Sequence, residues 1–138
     1  DLNDAKKVAT AVSELIENVV KYSAVGGTMI DVNKDLNNGK IRLTIMNIAT
    51  SQHIETFESI FKEVNQGDPK EMYKKMMLRS FSDPDTSQLG IARIRYECQG
   101  TISYEVLTDP EALFNLPEVE TVPDGSKLLS VSVEIPVN

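Results

Sequence analysis

Residues 28–33 (Thr-Met-Ile-Asp-Val-Asn) and 41–46 (Ile-Arg-Leu-Thr-Ile-Met) each alternate apolar and polar side chains, with only residues 34–40 between them. A period of two is the pattern of a half-buried strand. Asn37-Asn38-Gly39 reads as the turn of a hairpin. A parallel pair would need a crossover of about a dozen residues or more. The two runs therefore pair antiparallel, and a doubly wound sheet of βαβ units is excluded for this part of the chain.

The flanking segments carry the helical period. Asp1 to Ser23 predicts a helix, capped by Asp1, Asn3 or Asp4, with Val8, Ala9, Val12, Leu15, Ile16, Val19 and Val20 forming its apolar face. Val25-Gly26-Gly27 breaks it. From Gln52 to Val64, the positions Ile54, Phe57, Ile60, Phe61 and Val64 return to helical spacing, and Gly67-Asp68-Pro69 stops that helix and starts the next. Met72, Tyr73, Met76 and Met77 mark this second short helix, which ends near Ser80. The residues Ser82 to Ser87 form a polar turn cluster. A third helix runs from Leu89 toward Gln99, with Gly100 as its cap. Thr101 to Leu107 is a strand, Asp109 to Asp124 a proline-bearing loop, and Leu128 to Val137 a closing strand. Strands adjacent in sequence, with helices gathered on one face, imply an α+β two-layer sandwich whose sheet is mixed but mainly antiparallel.

The 138 residues suit a single domain over 1–138. A formal net charge of −7 argues against a nucleic-acid-binding surface, because that affinity comes from Lys and Arg contacts to phosphates. It leaves room for a nucleotide, since one pocket can be basic on an acidic protein. No apolar run approaches the ~20 residues of a membrane span, and no signal-peptide pattern is visible. The lone cysteine, Cys98, excludes an internal disulfide, makes a reducing, cytoplasmic compartment the default, and is expected to be an inert core residue. With His53 the only histidine, a Ser-His-Asp triad or multi-His metal site would have to be built around it; it is expected to open the helix that follows. The Met72, Met76 and Met77 group reads as ordinary packing. Tyr22, Tyr73, Tyr96 and Tyr104 are scattered and form no stacking platform.

Chemistry is suggested by Glu14, Asn18 and Lys21. Spacings of four and three put them on one face of the first helix, roughly opposite the apolar one. From spacing alone, a solvated stripe is the simpler reading. The functional one is that a carboxylate, an amide and an ammonium converge on one ligand, as base, Mg²⁺ donor and phosphate contact.

The run Val12-Ser13-Glu14-Leu15-Ile16-Glu17-Asn18-Val19-Val20-Lys21-Tyr22-Ser23 resembles the N-box of GHKL (histidine-kinase-like) ATPases, where a Glu stands four residues before an Asn, followed by Lys and an aromatic residue or His. The Ser-Glu opening is most similar to the anti-sigma-factor and protein-serine-kinase branch. The resemblance implies the GHKL (Bergerat) fold, with Glu14 as general base, Asn18 holding Mg²⁺ and Lys21 near the phosphates. Met46-Asn47-Ile48-Ala49-Thr50 stands where the family has its adenine-binding Asp-x-Gly-x-Gly turn, with Asn47 in place of the Asp and neither glycine present. Thr86-Ser87-Gln88-Leu89-Gly90-Ile91-Ala92-Arg93-Ile94 resembles the Gly-x-Gly-Leu-Gly-Leu phosphate box, with Thr86 and Gln88 in place of two glycines and only Gly90 kept. Residues of about 52–86 occupy the place of the family's ATP lid, and a helical lid after an Asn is most similar to SiaB-like protein kinases. Leu129 to Pro136 is similar to the family's closing strand, Ser126 or Ser130 standing for its usual Thr.

Two functions of different class follow from this resemblance. One is an ATP- and Mg²⁺-binding regulatory serine/threonine kinase, anti-sigma or SiaB-like, that phosphorylates or sequesters a small antagonist protein such as a STAS-type domain. A phosphatase in the same pathway and a homodimer belong to that expectation. The other is a protein-interaction module that keeps the fold and binds ATP weakly or not at all. Losing a few backbone donors at ~1 kcal/mol each weakens a ligand by two or three orders of magnitude.

Overall fold

The computed structural model describes residues 2–22, 28–35, 37–82, 89–108 and 125–137. The expected break at 25–27, most of the polar cluster (83–87) and the loop at 109–124 lie outside them, as do Thr86, Ser87 and Gln88 and the side chain of Lys21. Along the chain run α1 (Leu2–Tyr22), β1 (Thr28–Asp35), β2 (Lys40–Ala49), α2 (Ser51–Val64), α3 (Pro69–Ser82), α4 (Leu89–Glu97), β3 (Thr101–Leu107) and β4 (Lys127–Pro136). The sheet order is β1-β2-β4-β3, and each of the three pairings among these strands is antiparallel. No helix among the described residues is long and apolar enough to cross a membrane.

Alternation places the core. Leu43, Ile45 and Ala49 of β2, Leu129, Val131, Val133 and Ile135 of β4, and Ile102 of β3 share one face of the sheet and join the main cluster of buried residues. The helices supply Ala11, Leu15, Ile54, Phe57, Val64, Met76, Ile91, Ala92 and Ile94. The opposite face is polar toward the hairpin end, where Thr44 and Ser132 hydroxyls meet at 3.0 Å and Lys40 pairs with Glu134 at 3.5 Å. Toward the other end, Ile48 and Leu128 are buried on that face.

Local chemistry explains the boundaries. Thr50 caps α2, its hydroxyl accepting from His53 N at 3.2 Å, so His53 sits in the first turn. Pro69 opens α3, where its missing N–H is not needed, and the Asp68 carboxylate accepts from Glu71 N at 3.0 Å. Met76 is fully buried and Met72 and Met77 pack against the core, as expected of ordinary packing. In the hairpin, the Asp35 carboxylate accepts from Asn38 N and Nδ2 at 3.2 and 2.6 Å, and those bonds hold its pKa below the usual carboxylate range.

Two expectations are corrected. The end of α4 is not capped by Gly100: the left-handed residue is Gln99 (φ 55°), and Gly100 N bonds back to Ile94 O at 3.0 Å. Gly100 is there for closeness, because a Cβ would come within 2.8 Å of Ile94 Cγ2 and 2.9 Å of Val133 Cγ1. The second correction concerns α1. Asp4, Ala11, Glu14 and Leu15 are buried and Asn18 is half-buried, whereas Ala9 is exposed and Ile16 is 43% exposed. At 100° per residue, Asp4, Ala11, Leu15 and Asn18 fall in one narrow arc with Glu14 on its flank. Glu14 and Asn18 thus belong to the inward seam and not to an opposite face. The reason is that α1 packs against the sheet, α2 and α4, and the α4 side of the seam is polar.

Candidate functional site

The helices α1 and α4 lie side by side and antiparallel. At one end, Lys7 Nζ donates to Gln99 Oε1 at 3.0 Å and Cys98 Sγ donates to Lys7 O at 3.3 Å. Burial first, then the Glu97 and Glu14 charges, push the Cys98 thiol up to about 11, so it is the inert core residue expected from sequence. At the other end, Glu14 faces the first turn of α4. Arg93 Nη1 donates to Glu14 Oε1 at 2.7 Å, and Glu14 is only 8% exposed. Arg93 Nε stands 3.6 Å from Glu97 Oε2, and Tyr73 Oη donates to Glu97 Oε1 at 3.1 Å. Burial disfavours the Arg93 charge, but hydrogen bonding with Tyr73 and Glu14 outweighs it and raises the guanidinium further.

Gly90 is the contact between the two motifs. It lies in the first turn of α4, and a Cβ there would come within 2.7 Å of Glu14 Oε2. The N-terminal end of a helix carries partial positive charge. In this structure a carboxylate of the protein itself sits against it, in addition to the Arg93 ion pair.

One helical turn further along α1, Asn18 lines a small cavity together with Leu15, Val19, Ile45, Asn47, Phe57, Leu129 and Val131. Asn47 is 2% exposed, and its Nδ2 reaches only Ile48 O at 3.5 Å. The free volume is about 10 Å³, at the lower limit for a single water. Small-molecule pockets are roughly 300–1,000 Å³. Among the described residues this cavity is too small for adenine, with Phe57 from α2 and Leu15 from α1 lining it beside Asn47.

Of the residues singled out from sequence, Gly90 lies against Glu14, and Asn18 and Asn47 line one small cavity in the C-terminal half of α1. Thr86, Ser87, Gln88 and the Lys21 side chain fall outside the described residues. The described residues contain no cluster of three or more His, Cys, Asp or Glu fit to hold a metal. An amide oxygen is a hard donor, so Asn18 suits Mg²⁺ where phosphate oxygens complete the shell. Sequence reasoning missed two residues. Arg93 is signalled only as a cation three residues after Gly90, on the inward side of α4. Phe57 reads in sequence as one more core position of α2.

No protein-family model matches the chain, and no curated protein matches its sequence. Its fold is similar to that of a chain in the crystal structure of the SiaB–SiaC complex from Pseudomonas aeruginosa, with a TM-score of 0.71. The match covers 98% of this chain and 73% of that one at 12% sequence identity. At that identity the likeness shows the shared fold.

Proposed function

We propose that this chain is a regulatory protein kinase of the SiaB-like type, which acts on a serine or threonine of a small partner protein. The observation that carries it is convergence. Glu14, Asn18, Asn47 and Gly90 come from two helices and a strand, yet Gly90 sits against Glu14, and Asn47 lines one small cavity with Asn18 a helical turn further along α1. Glu14 would accept the hydroxyl proton, and the Asn18 oxygen would hold Mg²⁺ together with the phosphates. The metal's contribution is to offset charge on the transferred group. Nucleotide entry requires Phe57 to withdraw from α1, and base catalysis requires Arg93 to release Glu14. The first displaces a core ring that is 1% exposed and packs on Phe61 and Tyr104; the second is a side-chain movement, since Arg93 is a guanidinium that can exchange a carboxylate for a phosphate.

The partner half of the proposal has its own support. A solved structure that shares the fold is a complex of SiaB and SiaC. On α3, Leu78 and Phe81 are 70% and 79% exposed, and Lys74 and Lys75 are exposed beside them. On a chain of net charge −7 this is a basic and apolar stripe, suited to an acidic partner. Replacing Phe81 with Asp is expected to weaken partner capture and leave nucleotide titrations unchanged.

A second reading is favoured by the closed cavity and by the Arg93–Glu14 ion pair. In it the chain is an interaction module that no longer turns over nucleotide. Calorimetric titration with a non-hydrolysable ATP analogue, with and without Mg²⁺, separates the two. Binding that requires Mg²⁺ and is lost in Asn18→Ala supports the kinase, and transfer should then vanish in Glu14→Gln while binding persists. No heat at millimolar analogue leaves the interaction module.

A further inference from the structure

We propose that Glu97 and Tyr73 form a second seat for the Arg93 guanidinium, into which it moves on leaving Glu14. This second seat rests on the kinase reading, which needs Glu14 released. Glu97 and Tyr73 are then positioning residues, acting on the reaction only through Arg93. Four polar side chains from three helices stand in one line. From α1, Glu14 accepts from Arg93 Nη1 at 2.7 Å. One turn along α4, Glu97 Oε2 stands 3.6 Å from Arg93 Nε, close enough for an ion pair and too far for a hydrogen bond. From α3, Tyr73 donates to Glu97 Oε1 at 3.1 Å. Bringing Arg93 and Glu97 to hydrogen-bond length is a movement of about 1 Å, which rotation within one side chain supplies.

The two seats differ in kind. The Glu14 side chain is 10% exposed and that of Glu97 44%. A pair screened by less water attracts more strongly, so Arg93 rests on Glu14 in this structure. An exposed pair four residues apart on a helix is weak by itself. Tyr73 strengthens it: the buried phenol fixes the Glu97 carboxylate from the neighbouring helix, and its ring packs on Tyr96 at 5.3 Å between centroids. Hydrogen bonding with Tyr73 also helps to keep the Arg93 charge, so the phenol serves both members of the seat. Nor does Glu14 become an isolated buried charge when Arg93 leaves. Its Oε2 lies at the first turn of α4, where a Cβ on Gly90 would come within 2.7 Å of it, and that end of a helix favours a carboxylate. Each acid thus keeps a partner in either position of Arg93, Glu14 the helix end and Glu97 the phenol. That is the condition for an ion pair with two resting places.

The test follows the Arg93 Nε–H resonance in nitrogen-resolved NMR spectra of the whole chain, assigned by its loss in Arg93→Lys. In Glu14→Gln the first seat is gone, and the resonance should stay apart from that of free arginine because the second seat holds it. Adding Glu97→Gln should collapse it onto the free-arginine position, and adding Tyr73→Phe should move it part of the way there. Gly90→Ala loosens the first seat without removing an acid: its methyl displaces the Glu14 carboxylate, and the resonance should move toward its place in Glu14→Gln. Collapse in Glu14→Gln alone overturns the proposal, as does a resonance indifferent to the added Glu97→Gln. In a chain that transfers phosphate, Glu97→Gln should lower kcat about tenfold with the nucleotide KM unchanged, because Arg93 then stays on Glu14. An unchanged kcat overturns the positioning role. A chain that binds no nucleotide removes the kinase reading, while the resonances still decide the second seat.

Discussion

The two edges of the sheet are built in opposite ways. At β3, the helix-side residue Tyr104 meets Phe57 and Phe61 edge-to-face, with ring centroids 5.2 and 4.9 Å apart, and its hydroxyl donates to Glu58 at 2.7 Å. Ile102 beside it is 5% exposed, and Gly100 brings β3 straight off the end of α4 onto Ile94 and Val133. At β1, Ile30 and Val32 occupy equivalent positions on the same face and stay about half exposed. The difference is one of width. α2 and α4 meet β3, α3 packs on α4, and α1 packs against α2, α4 and the middle strands, so helix packing on the sheet falls mainly on β2, β4 and β3. An aromatic cluster closes one edge within the chain. At the other, no such cluster forms among the described residues.

The sharpest way to break this comparison is to remove the closing residue. Phe57→Ala is expected to destabilise the fold by about 3–5 kcal/mol in urea unfolding, since the ring is 1% exposed and bridges the β3 edge and the α1 cavity. An effect below 1 kcal/mol would mean that the closed edge is not closed by packing. Gly100→Ala should cost about 1–3 kcal/mol, because Ile94 and Val133 side chains must give way. Tyr104→Phe should cost less, roughly 0.5–1.5 kcal/mol, for the hydrogen bond to Glu58. The same bond, aided by burial and by the Glu58 charge, raises the phenol above its ordinary value of 10.0. A raised pKa means that the folded state holds its proton longer than the unfolded chain. That contribution is complete below pH 10 and is lost as pH rises through the folded value, so melting scans should show an alkaline decline that Tyr104→Phe lacks. Smallest of all, Val32→Ala at low protein concentration should shift stability by no more than about 0.5 kcal/mol. A large loss there would show that β1 is covered within the single chain.

The hairpin was the most legible part of the molecule. Alternation at 28–33 and 41–46 placed both strands, and pairing extended them to Asp35 and Ala49 because Asp35 anchors the turn through Asn38. The strand at 101–107 and the start of α3 at Pro69 were equally plain, the first from alternation and the second from a proline that fits only one place. The rotation of α1 was not. Apolar periodicity weighs a helix against one greasy surface, whereas this seam is part apolar, against the sheet, and part ionic, against Arg93. For the candidate site, spacing singled out Glu14 and Asn18 and the family resemblance added Asn47 and Gly90; in the structure Gly90 lies against Glu14, and Asn47 shares a small cavity with Asn18. Neither could show how little space lies between Asn18 and Asn47, because that depends on Phe57, a residue from another element with no motif of its own.

Gly90 carries a consequence for lineages related to this chain. A Cβ at that position would come within 2.7 Å of Glu14 Oε2, the movable end of a side chain that Arg93 holds in place, so the glycine eases this contact whether or not any phosphate ever visits. A small side chain at 90 should be accommodated by a shift of the Glu14 carboxylate, and most readily where the Arg93 ion pair is gone. Persistence of the glycine among relatives would then record contact between two helices as readily as any ligand, so its presence alone would say nothing about nucleotide use.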